Sequence, residues 1–331
     1  MTDLKIGVIG GGSWATALVK ILCNNVTAVN WWLRSADDVE HLRKFNHNPK
    51  YLTSVEFQQE KIVLFNEVEK IIEASDIIIL AVPSAFCHSV LKTLPKEILK
   101  NKIVFSAIKG IIPEYNLIVG EYLNKVFEVP FQNIGVITGP CHAEEVAMEK
   151  LSYLTLACRE INTAEKLAAQ MRCRYIKVTA SDDIYGTEYS AVLKNVIAVA
   201  GGICHGLGYG DNFLSVLVSN AIQEIERFVK AVHPIDRDIK ASAYLGDLLV
   251  TAYSQFSRNR MFGTMIGKGY SVKMAQLEMQ MVAEGYYAVK CVHELNKKFK
   301  VHMPISDAVY NIVYEKISPS IEMKLLCDKL S

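Results

Sequence analysis

Two isolated charges stand out in otherwise apolar, helix-forming surroundings. Lys194 is the only formally charged residue between Glu188 and Asp211, and Asp247 the only one between Lys240 and Arg258. Val192, Leu193, Val196, Ile197, Val199 and Ala200 flank the lysine, and Leu245, Leu248, Leu249 and Val250 flank the aspartate. A charge in such a setting is costly unless it is paired, so the two are expected to meet. One reading is a structural ion pair. The other is a lysine that moves protons: desolvation lowers an ammonium pKa and an acidic partner raises it. Lys109 is a third isolated cation, alone between Lys102 and Glu114. Ser257-Arg258-Asn259-Arg260 reads as a turn suited to oxyanions, because guanidinium makes charge-assisted, bidentate bonds to phosphate. As a bare pattern it is nonspecific.

A further constellation is Gly10-x-Gly12-x-x-Ala15, directly after the apolar run Leu4–Ile9 and before the helical pattern Trp14–Leu22. Strand, glycine turn and helix are the context of a dinucleotide-binding loop. The first glycine permits the turn, the second lets the backbone approach a pyrophosphate, and the small third residue lets helix and strand pack closely. The next strand, Thr27–Leu33, ends in Arg34 rather than in the acid that bonds the ribose 2′-hydroxyl of NAD. An arginine there favours the 2′-phosphate of NADP; the alternative is a surface arginine.

Alternating elements must position these groups. Strands are expected at residues 62–65, 76–82, 102–106, 134–138, 151–157 and 175–178, with helices at 68–74 and 163–171 and another opening at Pro83-Ser84. The run DIIILAV at 76–82 is of the kind buried on both faces of a parallel sheet. Ligands bind beyond the carboxyl ends of such strands, where Pro83, Lys109 and Gly139 fall. After about Ser181 the periodicity is helical: 185–228, 239–253, 272–295 and 306–317. The glycines Gly201-Gly202 and Gly206 to Gly210 are expected to end the Lys194 helix and bend the chain toward Asp211-Asn212. The fold class is therefore an α/β, Rossmann-type domain with a mostly parallel sheet over 1–180, followed by an all-α domain over 181–331.

Composition narrows the class further. With 331 residues, 50% hydrophobic and 21% charged, the chain has material for a sizeable core. A net charge of +1 gives no electrostatic footprint for nucleic acid or a membrane surface. No signal-peptide pattern opens the chain, and no apolar run reaches the roughly 18 residues of a membrane span. The 8 cysteines are scattered without metal or disulfide spacing, which suits reduced thiols in the cytoplasm. No metal site is expected. His142 and His205 read as solvent-facing or capping groups, and nothing marks Cys141 as a nucleophile.

The motifs GVIGGGSWATAL, AVPS, AIKGI, ITGPCHAEEVA, EYSAVLKNVIAVAGGICHGLGYGDN, YLGDLLVTAYSQFSRNRMFG and VAEG occur in this order. The chain thereby resembles, over nearly its whole length, the bacterial-type NAD(P)-dependent glycerol-3-phosphate dehydrogenases. The resemblance implies reversible reduction of dihydroxyacetone phosphate to sn-glycerol 3-phosphate, supplying glycerophospholipid synthesis. It places Lys194 as acid/base, with Lys109 and Asp247 as supporting, substrate-contacting partners. Gly139 and Cys141 fall in a substrate loop, and Ser257, Arg258 and Asn259 in the region of the substrate and cofactor phosphates. Gly10, Gly12, Ser13, Trp14, Arg34, Lys109, Ala143, Arg258, Val282 and Glu284 fall at cofactor positions. Two residues depart from the family pattern. Cys141 stands where serine or threonine is usual, and a thiol is a weaker hydrogen-bond donor. Ala15 replaces the glycine after the tryptophan. Two rivals remain, a hydroxy-acid or sugar-acid dehydrogenase of the same architecture and a non-catalytic dinucleotide sensor. A homodimer is the expectation from base rate.

Overall fold

The computed structural model describes residues 4–279 and 282–331. The chain forms two compact units, one of Met1–Ile108 with Val119–Ile184 and the other of Lys109–Ile118 with Tyr185–Ser331. The second unit thus takes a ten-residue excursion, residues 109–118, from the middle of the first.

The first unit is built on an eight-stranded sheet. Its strands are β1 (Ile6–Ile9), β2 (Val29–Trp32), β3 (Ile62–Phe65), β4 (Ile77–Leu80) and β5 (Ile103–Ser106), then β8 (Ile134–Thr138), β9 (Ser152–Cys158) and β10 (Ile176–Ser181). The labels β6 (Ile111–Ile112) and β7 (Leu117–Ile118) belong to a small antiparallel hairpin in the 109–118 excursion. Across the sheet the order is β10-β9-β8-β5-β4-β1-β2-β3. β1 pairs in parallel with both β2 and β4, Ile6 standing opposite Val29 and Ile77. β9 runs antiparallel to β8 and parallel to β10. β1 and β4 are buried along their whole length, as expected for strands covered on both faces. Because the chain moves outward from β1 to β3 and then returns to β4, the order reverses beside β1. The carboxyl end of β1 therefore opens where open α/β sheets bind ligands.

Gly10 is required there by geometry. Its φ is +149°, and a Cβ would stand 2.3 Å from the carbonyl oxygen of Ala81, just past β4. The strands and the 161–171 helix match the sequence reading closely. Three α-helices, Ala36–Phe45, Val119–Phe127 and Ala143–Ala147, and the β6–β7 hairpin were not anticipated.

The second unit is helical apart from that hairpin. Its long helices are Ile184–Gly206, which begins in the last residue of the first unit, Asp211–Val232 and Glu284–Phe299. Around them lie Asp247–Tyr253, Arg258–Gly267, Val272–Glu278, Pro304–Val313 and Pro319–Cys327. The expected 239–253 helix is shorter than the periodicity suggested: a π-helical turn, Ser242–Gly246, precedes Asp247–Tyr253. The expected 272–295 helix is divided into Val272–Glu278 and Glu284–Phe299, with residues 280 and 281 of the expected span lying outside the described residues. Among the described residues, no helix is long and apolar enough to cross a membrane.

The glycines of the Lys194 helix do not all end it, which corrects the reading of Gly201-Gly202. The helix runs through both to Gly206, and only beyond does the chain turn, at Gly208 with φ +91°. Gly202 and Gly206 instead face the Arg258–Gly267 helix. A Cβ at Gly202 would meet the Arg260 carbonyl at 2.1 Å, and one at Gly206 the Thr264 carbonyl at 2.5 Å. The contact is reciprocal, with Gly263 against the Val199 carbonyl at 2.1 Å and Gly267 against that of Ile203 at 2.3 Å. Helix backbones this close admit no side chain between them. Gly263→Ala should therefore cost about 1–3 kcal/mol of stability through overpacking, while Gly210→Ala, with open space around it, should stay within about 0.5 kcal/mol. Urea unfolding of both variants measures this; equal midpoints would contradict the close-contact account.

Candidate active site

Lys194 sits mid-helix and is 4% exposed, and Asp247 is 1% exposed. The two meet: the Lys194 ammonium donates to Asp247 Oδ1. Lys109 Nζ donates to the same carboxylate, at 3.2 Å to Oδ2 and 3.4 Å to Oδ1. All three expected catalytic residues therefore converge within the helical unit, Lys109 arriving on the 109–118 excursion. Asp247 follows directly on the π-turn, a distortion often found at functional sites.

Two neighbours that sequence reasoning did not select hold this cluster. Asn195 Nδ2 donates to the Lys109 carbonyl at 2.7 Å. Consecutive residues of one helix thus bond the carboxylate and fix the backbone of the second lysine. The hydroxyl of buried Thr251 donates to the Asp247 carbonyl at 2.6 Å. Asn195 was visible as a polar residue beside Lys194. Thr251 carried no signal beyond lying four residues after Asp247.

Burial sets the electrostatics. Desolvation lowers the Lys194 pKa to about 7 from its ordinary 10.5; Asp247 opposes that fall and the Lys109 ammonium adds to it. Burial works to raise the Asp247 carboxyl, but the two ammoniums prevail and hold it below its ordinary value. With all three ionised, two ammoniums and one carboxylate carry a formal +1. Loss of a proton from Lys194 is the change that relieves both the desolvation and the repulsion. An amine poised near neutrality can donate or accept a proton at working pH, as a general acid or base must.

Ser257-Arg258-Asn259-Arg260 is not a turn but the start of a helix, because Ser257 is an N-cap whose Oγ accepts from the Arg260 N–H at 3.3 Å. Asn259 is buried, and its Oδ1 accepts from the Gly285 N–H at 2.9 Å. That bond ties the Arg258–Gly267 helix to the first turn of the helix opened by Glu284. Arg258, Val282 and Glu284 are half-buried. The same Arg258–Gly267 helix packs by its glycines on the helix that carries Lys194, so the two cationic segments share one rigid contact.

In the first unit, Gly10, Gly12, Ser13 and Trp14 gather at the carboxyl end of β1. The helix Ser13–Leu22 starts after Gly12 without a side-chain cap. Its leading N–H groups, on Gly12 and Ser13, and that of Gly11 before them, donate to no described protein group. N–H donors at a helix N-terminus suit an anionic pyrophosphate, and a Cβ at Gly12 would meet nothing within 4 Å. Ala15 is fully buried, as the close packing requires. Arg34 is exposed just beyond β2, next to β1. Gly139, with φ +118°, and Cys141 lie buried beyond β8. Ala143 opens the helix Ala143–Ala147, which packs against Ser13–Leu22. All eight cysteines are thiols rather than disulfides.

A family model described as the NAD-dependent glycerol-3-phosphate dehydrogenase N-terminus matches residues 5–164, and its C-terminal counterpart matches residues 183–324. The chain belongs to the NAD-dependent glycerol-3-phosphate dehydrogenase family. It is 34% identical to a glycerol-3-phosphate dehydrogenase (NAD(P)+) of Clostridium botulinum, over 99% of this chain and 98% of that one. It is 32% identical to the Bacillus subtilis protein of the same name, over 96% and 93%. The crystal structure of a Coxiella burnetii glycerol-3-phosphate dehydrogenase superposes with a TM-score of 0.90 at 27% identity, covering 98% and 99% of the two chains. Among the described residues, no group of three or more His, Cys, Asp and Glu is placed to hold a metal ion.

The low Lys194 pKa is directly measurable. With ¹³C-labelled lysine, the Lys194 Cε resonance should titrate near pH 7, and Asp247→Asn, which removes the opposing carboxylate, should move the midpoint lower. A midpoint near that of an ordinary lysine would contradict the burial argument.

Proposed function

We propose that this chain interconverts dihydroxyacetone phosphate and sn-glycerol 3-phosphate with NAD(P)H, with Lys194 as its acid/base. The observation that carries this is the buried contact of Lys194 and Lys109 with one carboxylate, in a chain of this family. The dinucleotide supplies the hydride when bound. The protein supplies the rest. As the carbonyl is reduced, the Lys194 ammonium donates a proton to the forming alkoxide; in the reverse direction the neutral amine removes it. Asp247 keeps the ammonium accessible in a site where desolvation alone would drive it neutral. Lys109, held through its carbonyl by Asn195, adds a second cation toward the substrate oxygens. Arg258, with Ser257 and Asn259 shaping its helix start, is assigned to phosphate, whose remote binding orients the reacting carbon.

The division of labour follows the two units. The sheet unit takes the dinucleotide at Gly10, Gly12, Ser13, Trp14, Arg34 and Ala143, and Gly139 and Cys141 contribute substrate contacts. The helical unit takes the triose phosphate, with Lys109, Arg258, Val282 and Glu284 adding cofactor contacts. Exposed Arg34 leans the preference toward NADP. The product feeds glycerophospholipid synthesis in the cytoplasm, and the chain acts as a homodimer; sedimentation at micromolar concentration tests the last point.

Oxidation of NADPH or NADH should follow addition of dihydroxyacetone phosphate and not of unphosphorylated dihydroxyacetone. Oxidation with both ketones, or with neither, would overturn the substrate assignment. Lys194→Ala should lower kcat by about 10²–10⁴-fold with cofactor affinity nearly intact. For the wild type, kcat/KM for glycerol 3-phosphate oxidation should rise with pH through about 7, because the neutral amine is the base. For ketone reduction it should fall through the same range, because the ammonium is the acid. Arg34→Ala should raise KM for NADPH more than for NADH.

A further inference from the structure

The glycine loop has a second layer that the dinucleotide motif does not describe. Each of its three carbonyls is held by a different side chain. Trp31 Nε1 donates to the Gly10 carbonyl at 2.7 Å. Asn48 Nδ2 donates to the Gly11 carbonyl at 3.0 Å. Thr16 Oγ1 donates to the Gly12 carbonyl at 2.9 Å. The last two are linked, because the other Nδ2 proton of Asn48 goes to Thr16 Oγ1 at 2.9 Å. On its far side, Asn48 Oδ1 accepts from the N–H groups of Lys50 and Tyr51, at 2.9 and 3.1 Å. Asn48 is 1% exposed and Thr16 and Trp31 are fully buried.

Every hydrogen-bonding position of the Asn48 amide is therefore used: two protons and two lone pairs. That arrangement has one orientation, since the NH₂ faces a carbonyl and a hydroxyl while the oxygen faces two N–H groups. A peptide carbonyl that swung toward a phosphate would repel it, whereas the N–H groups of Gly11, Gly12 and Ser13 attract it. Glycine, with no Cβ, resists such a peptide rotation least of all residues; the Thr16 N–H also holds the Gly12 carbonyl, at 3.0 Å, and the Gly10 N–H bonds the Trp32 carbonyl, so the Gly11 peptide is where the Asn48 bond matters most.

We propose that Asn48, acting directly on Gly11 and through Thr16 on Gly12, is the positioning residue that keeps the loop in its anion-receiving form. The same residue fixes the backbone of Lys50 and Tyr51, so it joins the 48–51 turn to the pyrophosphate loop. This rests on the reading of the loop as a dinucleotide site. The role is one of preorganisation: Asn48 touches the loop and need not touch the ligand.

Asn48→Asp keeps the shape and the two accepted bonds but sets an anionic oxygen against the Gly11 carbonyl. Thr16→Val keeps the shape and removes the relay, and Thr16→Ser restores it. Titration of the full-length chain with NADPH and NADH, read by nicotinamide fluorescence, gives Kd, and competition with ADP-ribose isolates the pyrophosphate and adenosine part. We expect Kd for both dinucleotides and for ADP-ribose to rise about 10- to 100-fold in Asn48→Asp and about tenfold in Thr16→Val. Thr16→Ser should stay within about threefold of the wild type. At saturating cofactor, kcat and the KM for the ketone phosphate should be nearly unchanged. A purely structural role would instead lower Tm and the active fraction while leaving Kd unmoved. Wild-type Kd values in Thr16→Val, whatever its Tm, would overturn the proposal even if Asn48→Asp fails to fold. If the wild type binds neither dinucleotide, the dinucleotide reading falls and this inference with it; if it binds and the variants bind equally, only this inference falls.

Discussion

One carboxylate with two ammoniums beside it is the constraint on which the helical unit depends. Asp247 is buried, as is Lys194, and neither charge would be tolerable there without the other. The arrangement also explains why Lys194 is useful. A solvated lysine keeps its proton far above neutral pH, and a buried one with no partner would lose it entirely. Desolvation and Lys109 push in one direction and Asp247 in the other, leaving the amine near neutrality. The balance depends on short distances, so it depends on whatever fixes the three backbones. The Asn195 bond to the Lys109 carbonyl fixes one. The glycine contacts between the Lys194 helix and the Arg258–Gly267 helix fix a second cationic segment against the first.

In the proposed reading the two units handle negative charge by different means. The helical unit uses side-chain cations, which can exchange a proton. In that reading the sheet unit meets the pyrophosphate with backbone N–H groups at a helix start, which cannot, and the 2′-phosphate with Arg34. A hydride-transfer enzyme needs both, since a dinucleotide pyrophosphate has to be held without proton chemistry while the substrate oxygen has to gain and lose a proton. In each unit buried polar side chains hold backbone carbonyls beside these groups: Asn195 and Thr251 in one, Asn48, Thr16 and Trp31 in the other.

Complete burial made one strand plain. Ile77–Leu80 is apolar at every position, and no arrangement but a covered strand accommodates that run beside turn residues. The helix Ala36–Phe45 was missed because only Val39 and Leu42 in it are buried, so its apolar period is too sparse to register. The hairpin Ile111–Ile118 was missed because its strands are two residues each, shorter than any alternation. Gly201-Gly202 was misread because glycine in a helix signals either a stop or a close neighbour, and only the partner helix distinguishes them. Ser257 was placed in a turn because cap residues and turn residues are the same types.

What the sequence by itself supplied was the candidate set. Lone charges in apolar runs, glycines after a strand and an ordered series of motifs name Lys194, Asp247, Lys109 and Gly10-x-Gly12, since burial cost and backbone freedom are properties of residue type and near neighbours. Burial cost foretold that Lys194 and Asp247 would pair; the other partners were decided by tertiary structure. That Lys109, 138 positions from Asp247 in sequence, shares its carboxylate, and that Asn48 holds the Gly11 carbonyl, 37 positions away, follow from packing of distant segments. These contacts act over a few ångströms and carry no trace along the chain of the partner they will find.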